Sequence, residues 1–296
     1  MKRTKDINKE NLPDIDSLWD YGNPAETEKK FREILLLAKK QKDNSYLLEL
    51  ETQIARTLGL QMKFEEAHKL LDSVMKKVKP TQETVRVRYM LERGRAYNSS
   101  CEKEKAKEIF ESCYHQAKKY KLDLYAVDAA HMMGAVEKGN ESLRWNEIAI
   151  KDAEESKDEK ARRWLGSLLN NIGWTYHEMK DYEKALSNFE KALEFRMGQK
   201  NESEIKIMKW CVARCLRSMN KIDESLKMQR ELLKEFESIK KEDGFVYEEI
   251  GECLLILGKE NESKSFFKKA YEILFQDICL QKNEKERLTR LERLSK

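Results

Sequence analysis

Three arginines stand at one equivalent place in a series of look-alike segments: Arg56, Arg95 and Arg214. His131, Trp174 and Glu252 take that place in the other three copies. Around them lie Arg88, Glu92, Asp128, Asn170, Asn171, His177, Trp210 and Arg217, with Glu248 and Glu249 beside the closing Glu252. A guanidinium is a planar cation with several donors, suited to grasping a carboxylate or a phosphate. A carboxamide can serve both the donor and the acceptor of a peptide backbone. Aromatic side chains are favoured where binding energy concentrates, so Trp174 and Trp210 suit a contact surface as well as a core, while Trp164 reads as core. All of this is the chemistry of recognition. A second reading stands beside it: the arginines pair with Glu49, Glu92 and Asp128 on adjacent helices and tie the stack together.

The ingredients of catalysis are thin. Asp128 and His131, three apart on one helix face, have the makings of an acid–base pair, but no nucleophile accompanies them, and a structural hydrogen bond is the simpler reading. His68, His115, His131 and His177 form no pair at helical ligand spacing, and neither HExxH nor CxxC occurs, so no metal site is expected. GxGxxG and GxxxxGK are absent as well. No cofactor and no enzymatic activity are expected.

The elements that position the column repeat along the chain. The clearest copy, LLNNIGWTYHEMKDYEKALSNFEKAL, carries Leu169, Ile172, Gly173 and Tyr176 on one helix and Ala185, Phe189 and Ala192 on the next. Five more copies share the spacing: Ala55, Leu58, Ala67, Leu71; Gly94, Tyr97, Ala106, Phe110; Ala130, Met133, Ser142, Ala149; Ala213, Leu216, Ser225, Leu232; and Gly251, Leu254, Ser263, Phe267, Ala270. Asn146 and Gln229 replace the bulky apolar residue in two of them. Steps of three and four put the apolar residues on one helix face. Small residues let two backbones approach, and the bulky one fills the contact.

This pattern resembles the tetratricopeptide repeat, a helix–turn–helix unit of about 34 residues that stacks on copies of itself. The anchors at 55, 94, 130, 173, 213 and 251 are 36 to 43 residues apart, so the units are long. The family's closing proline is missing from most copies; Pro80 alone sits near the expected place. The resemblance implies an all-α fold, a right-handed α-solenoid of about six helix pairs with N- and C-terminal capping helices. It divides the chain into a polar tail over 1–22, with a short helical turn at 14–20, a capping helix over 23–44, the solenoid over 45–276 and a capping helix over 277–296. Asn23, Pro24 and Glu26 form a helix start, and Asn201 with Glu204 repeats it. In the resembled family, positions near the small residue of each first helix face a concave groove, and groove asparagines hold extended peptides. That implication makes Arg56, Arg88, Arg95, His131, Asn170, Asn171, Trp174, His177, Trp210, Arg214 and Arg217 the candidate ligand-binding residues.

Composition agrees. Only three prolines and eleven glycines occur in 296 residues, as suits a mostly helical chain. Charged residues make up 38%, yet the net charge is only +4; interspersed lysine and glutamate read as a solvated outer face. No sharp basic excess points to nucleic acid. No apolar stretch is long enough to cross a membrane, and the charged N-terminus does not read as a secretory signal. The six cysteines, at 101, 113, 211, 215, 253 and 279, are expected to be free thiols in a reducing, cytoplasmic setting. The expected function is a scaffold that binds a protein or peptide segment, with the arginines suiting an acidic or carboxylate-ended one. A self-associating assembly subunit, hence a homo-oligomer, is the alternative.

Overall fold

Several helix starts are written into the sequence as side-chain caps. Asn23 Oδ1 accepts from the Glu26 N–H at 3.3 Å just ahead of Pro24. Asp43 caps through Tyr46, Asp181 through Lys184 and Asn201 through Glu204. Each satisfies a backbone donor that the first helical turn would otherwise leave orphaned. The computed structural model describes residues 12–41 and 43–296, with residues 278 and 279 described by backbone alone. The expected tail over residues 1–11 lies outside the described residues. Among the described residues there is no strand.

The chain divides into two units, one ending at Trp164 and one running Leu165–Lys296. The boundary falls inside the fourth expected helix pair. In the first unit a short 3-10 turn, Ile15–Leu18, precedes α1 (Pro24–Gln41), α2 (Asn44–Leu60), α3 (Phe64–Lys77), α4 (Glu83–Ser99), α5 (Lys103–Lys119), α6 (Asp123–Val136), α7 (Gly139–Glu155) and the single turn α8 (Glu159–Arg162). The second unit holds α9 (Leu165–Glu178), α10 (Tyr182–Gln199), α11 (Glu202–Ser218), α12 (Ile222–Ser238), α13 (Gly244–Ile256), α14 (Glu260–Leu274), α15 (Ile278–Asn283) and α16 (Lys285–Leu294). Within each unit most neighbouring helices pack on one another, and the first helices of successive pairs in the first unit, α2, α4 and α6, lie side by side.

The small-to-large pairing expected from the repeat is the packing rule. A Cβ added at Gly94 would stand 2.4 Å from the Phe110 ring; at Gly173 it would stand 2.5 Å from Phe189, and at Gly251 2.9 Å from Phe267. All three rings are fully buried. In the two deviant copies the fully buried plug is an amide. Asn146 donates to the Ser142 carbonyl at 2.8 Å, whereas neither side-chain polar atom of Gln229 has a hydrogen-bond partner.

Five of the six first-to-second-helix turns close alike, the exception being α6 to α7, where Glu137 and Lys138 are extended. Met62, Cys101, Lys180 and Asn220 adopt left-handed backbone with φ from 61° to 67°, and Gly258 takes the same place at 73°. The next residue's N–H then returns to a carbonyl five positions back, as Asp181 does to Tyr176 at 2.9 Å. This closure satisfies helix-end carbonyls at the expense of a strained φ wherever glycine is not used.

At the end of the second unit, α16 buries Leu288 and Leu291 against Phe267, Ala270 and Leu274. At the start of the first unit the structure departs from expectation. Residues 12–22, read from their charge as part of a polar tail, are packed. Ile15 is buried in a cluster with Phe31, Leu50 and Ile54, and Leu18 and Trp19 lie against it. Apolar Ile15, Leu18 and Trp19 outweigh the interleaved aspartates, because the acids find cations within reach.

Candidate functional site

In the first unit, the column residues lie along the face made by α2, α4 and α6. Arg95 donates to Glu92 at 2.7 Å and to Asp128 at 2.5 Å, bridging α4 to α6. Arg56 reaches the same Glu92 oxygen at 3.4 Å, and Gln53 donates to it at 3.2 Å. Burial works against ionisation of Asp128, but Arg95 and then Arg56 outweigh it and hold the carboxyl below its usual range. The same partners keep Arg95 firmly cationic despite its burial. Pairing with Glu49, Glu92 and Asp128, the second reading open at the sequence level, is thus present: Arg88 Nη1 lies 3.7 Å from Glu49.

Arg88, only 5% exposed, has a further partner that the sequence reading missed. Its two terminal nitrogens donate to Asp16 at 2.7 and 3.4 Å, and one also donates to the Tyr125 hydroxyl at 2.9 Å. Asp16 belongs to the packed N-terminal segment, which lies across this face as a strap. Lys160 holds Asp14 at 2.9 Å, the Tyr46 hydroxyl donates to the Pro13 carbonyl at 2.9 Å, and the Trp19 indole donates to Gln53 at 3.1 Å. Trp19 and Tyr21 stack at 4.7 Å, and Arg56 lies 5.5 and 5.2 Å from their ring centres, within cation–π range. The signal available in the sequence was the aromatic pair: Trp19 and Tyr21 are costly ornaments in a solvated tail.

Beside the strap lies a cavity of about 380 Å³. Its lining outside the strap includes five cations, Arg56, Arg88, Arg95, Lys160 and Arg163, against two carboxylates, Glu92 and Asp128; Asp14 and Asp16 of the strap reduce the surplus of three to one. Trp164 also lines it, with the His131 ring 4.8 Å away. Burial pushes the His131 imidazole down to about 4, so the ring is neutral near pH 7.

The second unit gathers the other candidates. Trp174 and Trp210 lie 5.9 Å apart, and the Trp210 indole donates to the Phe245 carbonyl at 3.2 Å. Arg217 grips Glu249 with two bonds, at 2.7 and 3.0 Å, and Arg214 touches the same carboxylate at 3.0 Å. Arg214 also donates to Ser218 at 2.7 Å, and His177 Nε2 lies 2.9 Å from that hydroxyl. Burial, then Arg214 and Arg217, pushes His177 down to about 4. The remaining acids of α13 are closed by α16: Arg287 donates to Glu248 at 2.5 to 3.0 Å, and Arg290 pairs with Glu252. Arg287 and Arg290 escaped the sequence reading, although three acids close together on α13 call for more cations than the Arg214–Arg217 pair of α11 supplies. Asn170 accepts from the Cys211 thiol at 3.5 Å, and Asn171 flanks it on α9. The five described cysteines are unbridged, and burial pushes the Cys211 thiol up to about 12.

Among the described residues no cluster of His, Cys, Asp or Glu could hold a metal ion, and no helix is long and apolar enough to cross a membrane. Two models of the tetratricopeptide repeat match the chain, over residues 167–196 and 246–273. These are the clearest copy and the last. No curated protein matches the sequence significantly. Solved structures do match. RapI in its apo form is 13% identical, with a TM-score of 0.67, over 89% of this chain and 77% of its own. The apo quorum sensor NprR from B. thuringiensis is 15% identical, with a TM-score of 0.65, over 95% and 79%. NprR in complex with its cognate peptide NprX is 16% identical, with a TM-score of 0.56, over 95% and 81%. At such identities the likeness is one of fold. The chain carries tetratricopeptide repeats in an all-α fold of stacked helix pairs, the architecture of a protein-interaction scaffold.

Proposed function

We propose that this chain binds a peptide or protein segment along the first-helix faces of its repeats, with a preference for acidic or carboxylate-ended ligands. The observation that carries this reading is in the first unit: a segment of the chain itself lies across that face, held by side chains of the recognition column. A face that holds one acidic segment through arginine, lysine, glutamine and tyrosine has the chemistry to hold another. The excess of lining cations over carboxylates favours an acidic ligand. The NprR fold, which binds its cognate peptide NprX, is a precedent for peptide capture on this architecture.

The test is a titration of labelled peptides with acidic, neutral or basic sequences and free C-terminal carboxylates, read by fluorescence anisotropy at low and high salt. Acidic peptides should bind best and weaken as salt screens the charges. Arg56→Ala is the informative variant, because Arg95 and Gln53 continue to satisfy Glu92 in its absence. Loss of a charge-assisted bond should weaken binding roughly tenfold to a hundredfold. Equal binding of acidic and basic peptides would remove the charge preference; binding of none would remove the peptide reading.

A further inference from the structure

The strap is the least expected feature of the first unit, and its contacts have the form of a ligand's. Reading along it, Pro13 offers a carbonyl to Tyr46, Asp14 a carboxylate to Lys160, Asp16 a carboxylate to both terminal nitrogens of Arg88, Trp19 an indole N–H to Gln53, and Tyr21 a ring to Arg56. Of these partners, Arg56 and Arg88 belong to the recognition column. The strap is pinned firmly at its C-terminal end: the Thr27 hydroxyl, fully buried, donates to the Asp20 carbonyl at 3.0 Å and accepts from the Asp20 N–H at 3.2 Å. Towards Pro13 the polar hold is looser, with Ile15 between the two aspartates as the buried apolar anchor. The Asp14 and Asp16 side chains are 53% and 36% exposed, and water competes with the ion pairs there. The strap also fails to fill the face. The cavity beside it retains a cation surplus, and Arg56 Nε, Arg88 Nε and Glu92 Oε2 are buried without a hydrogen-bond partner.

We propose that residues 13–21 are an internal occupant of a peptide-binding face, which an incoming segment of the same chemistry must displace. That chemistry is two carboxylates two residues apart, an aromatic ring three residues beyond the second, and another aromatic two further on. The inference rests on the peptide-binding reading above and adds to it a ligand class and a gate. A tethered occupant lowers the apparent affinity for any competitor by the fraction of time the face is open. Weakening the strap therefore tightens the competitor in proportion, without any change to the face itself.

The experiment uses the full chain and a labelled synthetic peptide spanning Leu12–Gly22. The chain is compared as wild type and as the double variant D14N/D16N, which keeps Ile15 and Trp19 in place; circular dichroism checks that both are equally helical. Anisotropy reads binding, and amide hydrogen exchange reads the chain's own residues 13–21. The double variant should exchange faster over 13–21 and bind the peptide roughly tenfold or more tightly than wild type. Saturating wild type with peptide should accelerate exchange of its own strap, and a peptide with both aspartates changed to asparagine should bind poorly. If exchange over 13–21 is unchanged in the variant, the acidic contacts do not hold the strap and the gate is refuted. If the peptide binds both proteins equally while the strap stays protected, the gate is refuted and the peptide-binding reading survives. If the strap opens but the peptide binds neither protein, both ideas fail for this face.

Discussion

Removing Arg95 is the sharpest test of how this fold handles charge. Open arginines, as a recognition column implies, contribute little to stability, but Arg95 is not open. Its side chain is 14% exposed and stands between Glu92 and Asp128, whose residues are 4% and 9% exposed. Arg95→Ala would leave both carboxylates in place with their main cation gone. Breaking a buried pair in this way costs about 3–5 kcal/mol. Arg56 and Gln53 remain on Glu92, so the lower end, about 3 kcal/mol, is the expectation for this site. For a unit of this size that lowers the thermal midpoint by roughly 6–12 °C. The loss should shrink as pH falls towards 4, because an unpaired buried Asp128 then takes up a proton and ceases to be a charge. The double variant Arg95→Met with Asp128→Leu, which removes both partners, should recover most of the loss. Differential scanning calorimetry on the three proteins decides the matter. An unchanged midpoint in Arg95→Ala, or a double variant no more stable than the single, would refute the reasoning.

Three further outcomes follow from the same geometry. Gly173→Ala puts a methyl group into the Phe189 ring and should cost about 1–3 kcal/mol, with Gly173→Ala/Phe189→Leu less destabilised than the single variant in urea denaturation. Lys180→Gly relieves a left-handed backbone and should raise stability by about 0.5 kcal/mol once glycine's greater unfolded-state entropy is counted; a lower urea midpoint would show that the turn carries no strain. His131 and His177 sit near 4 when folded against 6.5 unfolded, so the unfolded chain takes up protons first. Their stabilising effect is complete above about pH 6.5 and is lost as pH falls towards 4, with a slope of at most about 1.4 kcal/mol per pH unit for each ring. His131→Gln should flatten that slope between pH 6.5 and 5; an identical slope would show that His131 does not carry it.

Legibility followed periodicity. Helix pairs were readable because their packing rule is local: a glycine at 173 and a phenylalanine at 189 announce each other at a fixed distance along the chain. Caps such as Asn23 and Asn201 are equally local. The Arg95–Asp128 bridge was half-legible, since charge sign and repeat register suggest it but leave a bound ligand as an equal claimant on the guanidinium. The strap was not read because its contacts have no register. Asp16 finds Arg88 across 72 positions and Lys160 finds Asp14 across 146, and in a sequence those aspartates look like the charge of any solvated tail. The division at Trp164 was equally invisible, since the repeat phase runs through it without interruption.

Both units obey one rule, that a charge removed from water must have an opposite charge within bonding distance, but they obey it with different parts. In the second unit the acids of α13 are closed by Arg287 and Arg290 on α16, a helix whose Leu288 and Leu291 are locked into the core between and beside them. In the first unit Arg88 is closed largely by Asp16, on a segment that makes a single short helical turn. The α16 pairings therefore can break only if buried leucines leave their cluster. The Asp16 pairing breaks when the strap lifts, which withdraws one buried side chain, Ile15, from its cluster, and a competing carboxylate can take the place of Asp16 on Arg88 as it leaves. Charge that can be handed from an internal partner to an external one without being stranded in the interior is available for recognition, and that is the exchange proposed for the α2–α4–α6 face.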